Sequence, residues 1–311
     1  MRRALRPYWR YLISAAALSV LVRYVGAHDL MEALRTTRGG PLLGYLAGIA
    51  VGPLLLAGEI WIALRLLGPR VSLRRVVSAS VGAWSVGALT PARAGDFSMA
   101  YFLRPEVSGA DTLSLVLLDK VMSVGALAVL GSISAAWVDV QHERFIMGAA
   151  ALVLALIIVS GFSVRSSGAG LGGRLGGRFL GGVPSRTLDA LQRLLRKPSV
   201  LIWLSAAAVT RWVYLCAVNL LVFRAVGENP GFGHVVAATS IGRIISLVPV
   251  TVGGVGLKEP VQIPIYAEVG VSPKSVVAVS IIGMACVLLT ATVYPLVLRS
   301  GARDSEVGGE R

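Results

Sequence analysis

Charge is scarce in this chain, and acidic charge is scarcest. Of 311 residues only 15% are charged, with 16 Asp and Glu against 30 Lys and Arg. Soluble domains carry roughly 25% charged residues, so the composition argues against a soluble protein. Cysteine is nearly absent. Cys216 and Cys286 both lie inside apolar runs, which speaks against a disulfide framework or a zinc site and for two small buried hydrophobes. The histidines, His28, His142 and His234, are too far apart for metal-ligand spacing. There is no P-loop and no ATPase cassette, and "GGVGLKE" lacks the strand and helix around a dinucleotide site. No metal, cofactor or soluble catalytic unit is expected, so the chain is read as a non-enzyme. Any transport has to run downhill or draw on another driving force.

What the chain has in quantity is hydrophobic sequence, 55% of all residues. Six runs are long enough for the ~20 residues that cross a bilayer: about Trp9–Gly26, Pro41–Leu64, Thr112–Val138, Phe145–Val164, Val200–Val226 and Ser275–Leu298. The basic start "MRRALRPYWR" followed by an apolar run resembles a signal peptide. No small-residue cleavage site ends the run, so an uncleaved first span is expected. Two further apolar runs, Val76–Thr90 and Val235–Val250, are short. As helices they extend about 24 Å, less than the ~30 Å hydrocarbon core.

The formal net charge of +14 does not point to nucleic acid, because the basic residues cluster between apolar segments. That is the positive-inside pattern, and it also suits anionic inner-leaflet lipids. Residues 1–10 hold four arginines and no acid, which puts the N-terminus in the cytoplasm. Arg65, Arg70, Arg74 and Arg75 mark a second cytoplasmic loop, and seven basic residues with one acid mark a third at 164–198. Three apolar runs lie between those last two loops, and an odd number of crossings would put the third loop outside. The charge pattern is satisfied if Val76–Thr90 enters and turns back, with Ala94–Leu103 as its return leg. The alternative is a crossing at a thin spot that breaks the charge rule. Re-entrant backbone needs protein or a wet cavity around it.

The two short runs have similar surroundings. Arg65-x-x-Gly68 matches Arg224-x-x-Gly227, and Val76-Val77 matches Val235-Val236. Each run ends in proline, glycine and charge: "PARAGD" once, "PVTVGGVGLKE" the second time. The preceding spans run in opposite senses, so the units form an inverted repeat, about 41–163 and 200–298. Such repeats with broken helices at the midplane are a transporter architecture. The expected fold is therefore all-α and polytopic, one transmembrane domain over 1–311. It has about six spans and two re-entrant helical hairpins. The linker 164–198 is basic and glycine-rich. Its "SRTLDALQRLLRK" places Leu188, Leu191 and Leu195 at helical spacing, as a helix lying on the inner leaflet.

Ionisable residues inside spans each need a reason, since insertion costs roughly 2.5–3.5 kcal/mol. Glu59, Asp119, Lys120, Arg211 and Arg243 lie within apolar runs. Snorkelling or a structural ion pair is open for Glu59 and Lys120. Arg211 and Arg243 are far from their segment ends and are expected to line a polar cavity. Arg93-x-x-Asp96 and Lys258-Glu259 sit at the two hairpin tips. Gly44, Gly48 and Gly52 repeat every four residues, a small-xxx-small pattern for close helix packing.

These residues resemble the transmembrane region of lysylphosphatidylglycerol synthases, also called the flippase-like domain family. The family looks like two signatures, Pro-x-Arg-x-Gly-Glu and Pro-Gly-Gly-x-Gly-x-x-Glu. Here Pro91, Arg93, Gly95 and Asp96 match the first, with Asp for Glu. Gly253, Gly254, Gly256 and Glu259 match the second, with Val252 for proline and Pro249 upstream. A departure is Met99, where the family often has a basic residue. The resemblance covers about residues 10–298. It implies translocation or binding of a lipid or lipid-linked headgroup, either anionic or polyprenyl-phosphate-linked. Full-length synthases add a cytoplasmic aminoacyl-transferase domain. This chain stops 13 residues after its last expected span, so it is not expected to make aminoacylated lipid alone.

The expected site is a cavity where the two tips meet. Arg93, Arg211, Arg243 and Lys258 attract an anionic headgroup. Asp96 and Glu259 orient those cations or take up a coupled cation or proton. Gly253, Gly254 and Gly256 let backbone approach the headgroup. The expected location is a bacterial or archaeal cell membrane. The rival reading is a non-transporting accessory or scaffold subunit beside a partner enzyme of lipid or lipid-linked glycan metabolism. A membrane-embedded transferase using the same cavity is a third.

Overall fold

In a computed structural model the described residues are Arg23, His28, Met31, Glu32, 35–138, 185–247 and 253–307. They are helices and connections, without a strand among them. The helices are α1 (Gly39–Leu67), α2 (Leu73–Leu89), α3 (Met99–Phe102), α4 (Gly109–Trp137), α5 (Ser185–Leu195), α6 (Pro198–Ala225), α7 (Phe232–Ile245), α8 (Glu259–Ala267) and α9 (Pro273–Val307). A 3-10 segment, Pro91–Ser98, joins α2 to α3. Four helices are long and apolar enough to cross a membrane: α1, α4, α6 and Pro273–Tyr294 of α9. The chain is a multi-pass membrane protein. The expected spans at 9–26, except Arg23, and 145–164 lie outside the described residues, as do linker residues 164–184 and positions 248–252.

Local sequence explains the element ends. Ser72 and Ser108 are N-caps whose side chains accept from the N–H of Arg75 and Asp111. The two Arg-x-x-Gly matches are helix terminators. Arg65 and Arg224 lie in the last turns of α1 and α6, where cations suit the helix dipole. Gly68 (φ 117°) and Gly227 (φ 85°) take the left-handed backbone that stops each helix.

Contacts between the halves run along one pair of helices. α1 and α6 pack antiparallel: the Arg38 N–H donates to the Ala225 carbonyl at 2.7 Å, and Tyr214 Oη donates to the Gly48 carbonyl at 3.0 Å. Further along, Trp203 Nε1 donates to the Glu59 carbonyl at 3.1 Å. The Gly44, Gly48 and Gly52 stripe faces α6, against Leu221, Val218 and Leu215. A Cβ at Gly48 would lie 2.7 Å from both Val218 γ-carbons. Gly48→Ile should therefore push α1 off α6 and cost about 1–3 kcal/mol, read as a lower Tm in detergent. Gly40→Ala should leave Tm unchanged, since nothing lies within 4 Å of that Cβ.

Each short helix turns back on itself. Arg75, in the first turn of α2, donates to the Phe102 carbonyl at 2.9 Å and pairs with Glu106 at 3.1 Å. So α2, the 3-10 segment and α3 leave and return at one end of the bundle. In the second half, Gln262 on α8 donates to the Ala238 carbonyl of α7 at 2.8 Å, and His234 approaches Glu268 at 4.0 Å. The two hairpins start from opposite ends. The first starts beside α5, where Ser114 donates to the Thr187 carbonyl at 2.6 Å. The second starts at the other end of α4, where Ser134 donates to the Gly233 carbonyl at 2.5 Å. The halves also exchange neighbours, α2 packing on α9 and α7 on α4. At 17 and 14 residues, α2 and α7 extend only about 26 and 21 Å.

One expectation is corrected. The apolar side of α5 does not face the leaflet. Ala190 and Leu194 are buried, and Leu191 and Leu195 pack with Leu115, Val200 and Leu204 of α4 and α6. Arg193 reaches Asp111 at 2.9 Å. An amphipathic pattern states only that one face is covered; here the bundle covers it.

Candidate functional site

Between the hairpin tips lies a cavity of about 240 Å³ with walls from both halves. Its apolar wall includes Ile49, Leu56, Trp84, Leu127, Leu215 and Val279. Five cationic side chains also line it: Arg93, Lys120, Arg211, Arg243 and Lys258.

Arg211 has the most ion-pair and hydrogen-bond partners of the five among the described residues. Its Nε donates to Glu59 Oε1 at 2.9 Å and Oε2 at 3.1 Å. Its Nη2 donates to Asp119 Oδ1 at 2.7 Å and Ser123 Oγ at 3.0 Å. The side chains of Arg211, Glu59 and Asp119 are 11%, 6% and 5% exposed. One guanidinium thus ties α1, α4 and α6 together through charge-assisted bonds. It is committed to the scaffold more than to a ligand.

Asp96 organises the first tip. Its Oδ2 pairs with Arg93 Nε at 3.3 Å and with Lys120 Nζ from α4. The tip fits because two glycines meet there. A Cβ on Gly95 would strike the backbone of Val86 and Gly87, and one on Gly87 would strike the Asp96 carboxylate. Thr90 Oγ1 accepts the Gly95 N–H at 2.7 Å. Arg93 has φ 53°, a left-handed backbone unusual for a residue with a side chain. Such strain persists where surrounding structure enforces it, and it clusters at functional sites. The Arg93 guanidinium lies 5.8 Å from the Trp84 ring centre.

The second tip turns on Gly253 (φ 64°), Gly254 (φ 74°) and Gly256 (φ 86°). Glu259 Oε2 accepts the Gly256 N–H at 2.7 Å, which pins the turn to the first residue of α8. Arg243 lies 5.6 Å from the Trp212 ring centre. Neither Arg243 nor Lys258 has an ion-pair partner among the described residues.

Of the nine expected site residues, Arg93, Asp96, Arg211, Arg243, Gly253 and Lys258 line the cavity. Gly254, Gly256 and Glu259 do not. Gly254 packs on Ser246, and Glu259 is fully buried against Gly256. Through that bond Glu259 braces its own loop, and its charge also acts on the neighbouring Lys258. Residues absent from the expected set are Lys120, Glu59 and Asp119. Their signal was in the sequence, as charges inside apolar runs, but their partners were not. Met99 is buried in the apolar core, and Lys120 supplies the cation beside Asp96. Cys216 and Cys286 are free and buried. No group of His, Cys, Asp and Glu suited to a metal occurs among the described residues.

No curated protein matches the chain. The family described as lysylphosphatidylglycerol synthase TM region matches over residues 8–294. That span takes in both hairpins, both glycine-rich tips and every charged residue of the cavity, so this membrane protein belongs to the lysylphosphatidylglycerol synthase TM region family.

Proposed function

We propose that the chain moves a lipid with an anionic headgroup between leaflets. The headgroup occupies the cavity and the acyl or prenyl chains stay in the bilayer. One observation carries this reading: Arg243 and Lys258, which form no salt bridge among the described residues, line a cavity between the tips of two oppositely directed hairpins. The short hairpins act as re-entrant gates, one from each side. The end holding Arg65, Arg70, Arg74, Arg75, Arg196 and Lys197 is the cytoplasmic one by the positive-inside rule, in the cell membrane of a bacterium or archaeon. The protein works as a transporter without covalent chemistry.

The test is reconstitution in vesicles with headgroup-varied fluorescent lipids and external dithionite. Wild type should speed leaflet exchange of an anionic lipid. Arg243→Gln should slow it about tenfold or more, because a charge-assisted bond to phosphate contributes ~1.5–3 kcal/mol. No acceleration for any lipid would overturn transport and favour a scaffold. A transferase would instead form product in detergent, where leaflets do not exist. The gates are tested separately by Ser108→Cys in a background without Cys216 and Cys286. Ser108 lies just past the first hairpin and is exposed. It should label from the same side as Lys197→Cys; labelling from the opposite side alone would overturn re-entrance.

A further inference from the structure

The two hairpins are fastened at their mouths in the same way but by different cations. Arg75 stands three residues after Ser72, the N-cap of α2, and His234 three residues after Gly231, the N-cap of α7. Each directly precedes the Val-Val pair shared by the two halves, Val76-Val77 and Val235-Val236. Each meets a glutamate at the end of the returning leg. Arg75 Nε lies 3.1 Å from Glu106 Oε1, and His234 Nε2 lies 4.0 Å from Oε2 of Glu268, the C-cap of α8. Positive charge near a helix N-terminus opposes the helix dipole, so the glutamate is what favours a cation at either place.

The difference between the mouths is chemical. Arginine keeps its charge at every physiological pH, while histidine gains and loses it between about pH 5 and 8. Arg75 also donates to the Phe102 carbonyl at 2.9 Å. Across the second mouth, Glu268 is the partner of His234 among the described residues. The His234 side chain is 15% exposed and that of Glu268 44%. The imidazole Nδ1 lies against the N-cap, where a Cβ on Gly231 would come within 3.3 Å. The other charges near this end are engaged elsewhere or unpaired with the latch. Glu228, which follows α6, accepts from Ser275 Oγ at 2.6 Å. Arg224 in the last turn of α6 and Lys274 in the first turn of α9 form no ion pair with Glu268. α4 brings Ser134 and Val138 to the first turn of α7, and its last two turns hold no ionisable residue. Asp139, His142 and Glu143 lie outside the described residues.

We propose that the second hairpin is a pH-sensitive gate, latched when His234 is protonated and paired with Glu268 and released when the imidazole is neutral. The Arg75–Glu106 latch of the first hairpin does not respond in that range. The sign follows from charge: the tie between α7 and α8 is strongest in mild acid and weakens as pH rises. This inference rests on the gating and sidedness read above and needs no particular cargo. The gate on the outer side then follows the pH of the medium.

The test uses Ser280→Cys in a background without Cys216 and Cys286. Ser280 lines the cavity from α9 and is 6% exposed, so a membrane-impermeant thiol reagent added outside reaches it past the second hairpin. Thiols label faster as pH rises in any protein, because the thiolate is the nucleophile. The readout is therefore each rate divided by that of the same protein carrying His234→Arg, whose latch keeps its charge. The ratio should be near one at pH 5.5 and rise about two- to fivefold by pH 8, the size expected of a partly exposed ion pair. His234→Gln and Glu268→Gln should each give the raised ratio at both pH values. Measured against Glu268→Gln, the more exposed substitution, the wild-type rate should climb from about a half or less at pH 5.5 to about one at pH 8. Should His234→Arg fail to fold, that second comparison decides alone. Ratios that do not change with pH, or that change equally in Glu268→Gln, overturn the latch. A pH-dependent ratio from the cytoplasmic side alone would uphold the latch and overturn the sidedness. A pH-dependent ratio in a protein that exchanges no lipid would uphold the latch and overturn translocation.

Discussion

Arg211→Met is expected to lower stability by about 3–5 kcal/mol. The reason is what it leaves behind. Glu59 and Asp119 are 5% and 3% exposed and come from different helices, α1 and α4. Without the guanidinium they become two uncompensated carboxylates facing each other in a low-dielectric interior. Desolvation of a buried charge is offset only while its partner is present. Arg211→Lys should recover only part of the loss, because one ammonium cannot reproduce the forked contacts to Glu59, Asp119 and Ser123. Glu59→Gln with Asp119→Asn and Arg211→Met should recover most of it, since no charge then stays unpaired. Thermal unfolding in detergent reads all three. A Tm for Arg211→Met within error of wild type would show that the triad does not hold the helices together. A triple variant no better than the single one would show that shape, and not charge, made the difference.

Gly95→Val should cost about 1–3 kcal/mol or more and abolish function. A Cβ at Gly95 would fall 2.6 Å from both the Gly87 backbone nitrogen and Val86 Cγ1. Backbone lies on the other side of the contact, so no rotamer change relieves it. The 3-10 segment must lift off α2, carrying Asp96 away from Lys120 and Arg93 away from Trp84. Gly58→Ala is the matching control. Nothing lies within 4 Å of its Cβ, and alanine in a helix interior is worth about 0.5–1 kcal/mol over glycine. Gly58→Ala should therefore keep or raise Tm and keep leaflet exchange. A Gly95→Val protein with wild-type Tm and exchange would mean that the first tip does not need its close contact with α2.

Much of the site was legible because its signals are local. Arg93 and Asp96 stand at the end of a helix too short to span. Arg211 and Arg243 stand mid-helix, where charge has no cheap explanation. Gly253 and Gly254 stand where the chain needs left-handed backbone. Partnerships were less legible. Asp119 and Lys120 are adjacent, yet one binds Arg211 across the bundle and the other binds Asp96. Successive helical residues point about 100° apart, so a charged doublet serves two networks. The hydrogen bond of Glu259 was not legible either. The residue is next to Lys258 in sequence, but the turn directs its carboxylate to Gly256. The α5 pattern stated that one face was covered and could not say by what.

The sequence by itself determined the class of molecule, the ends of its main helices and the places where those helices break. Each of these rests on interactions within a few residues: hydrophobic runs, serine caps, glycine terminators and left-handed turns. Only the tertiary structure decided which charge neutralises which. Arg211 and Glu59 are 152 residues apart, and Lys120 and Asp96 are 24 apart. Their meeting depends on how α1, α4, α6 and the first tip pack. That packing leaves Arg243 and Lys258 outside any salt bridge among the described residues, while Glu259, next in sequence to Lys258, accepts the Gly256 N–H and closes its own loop.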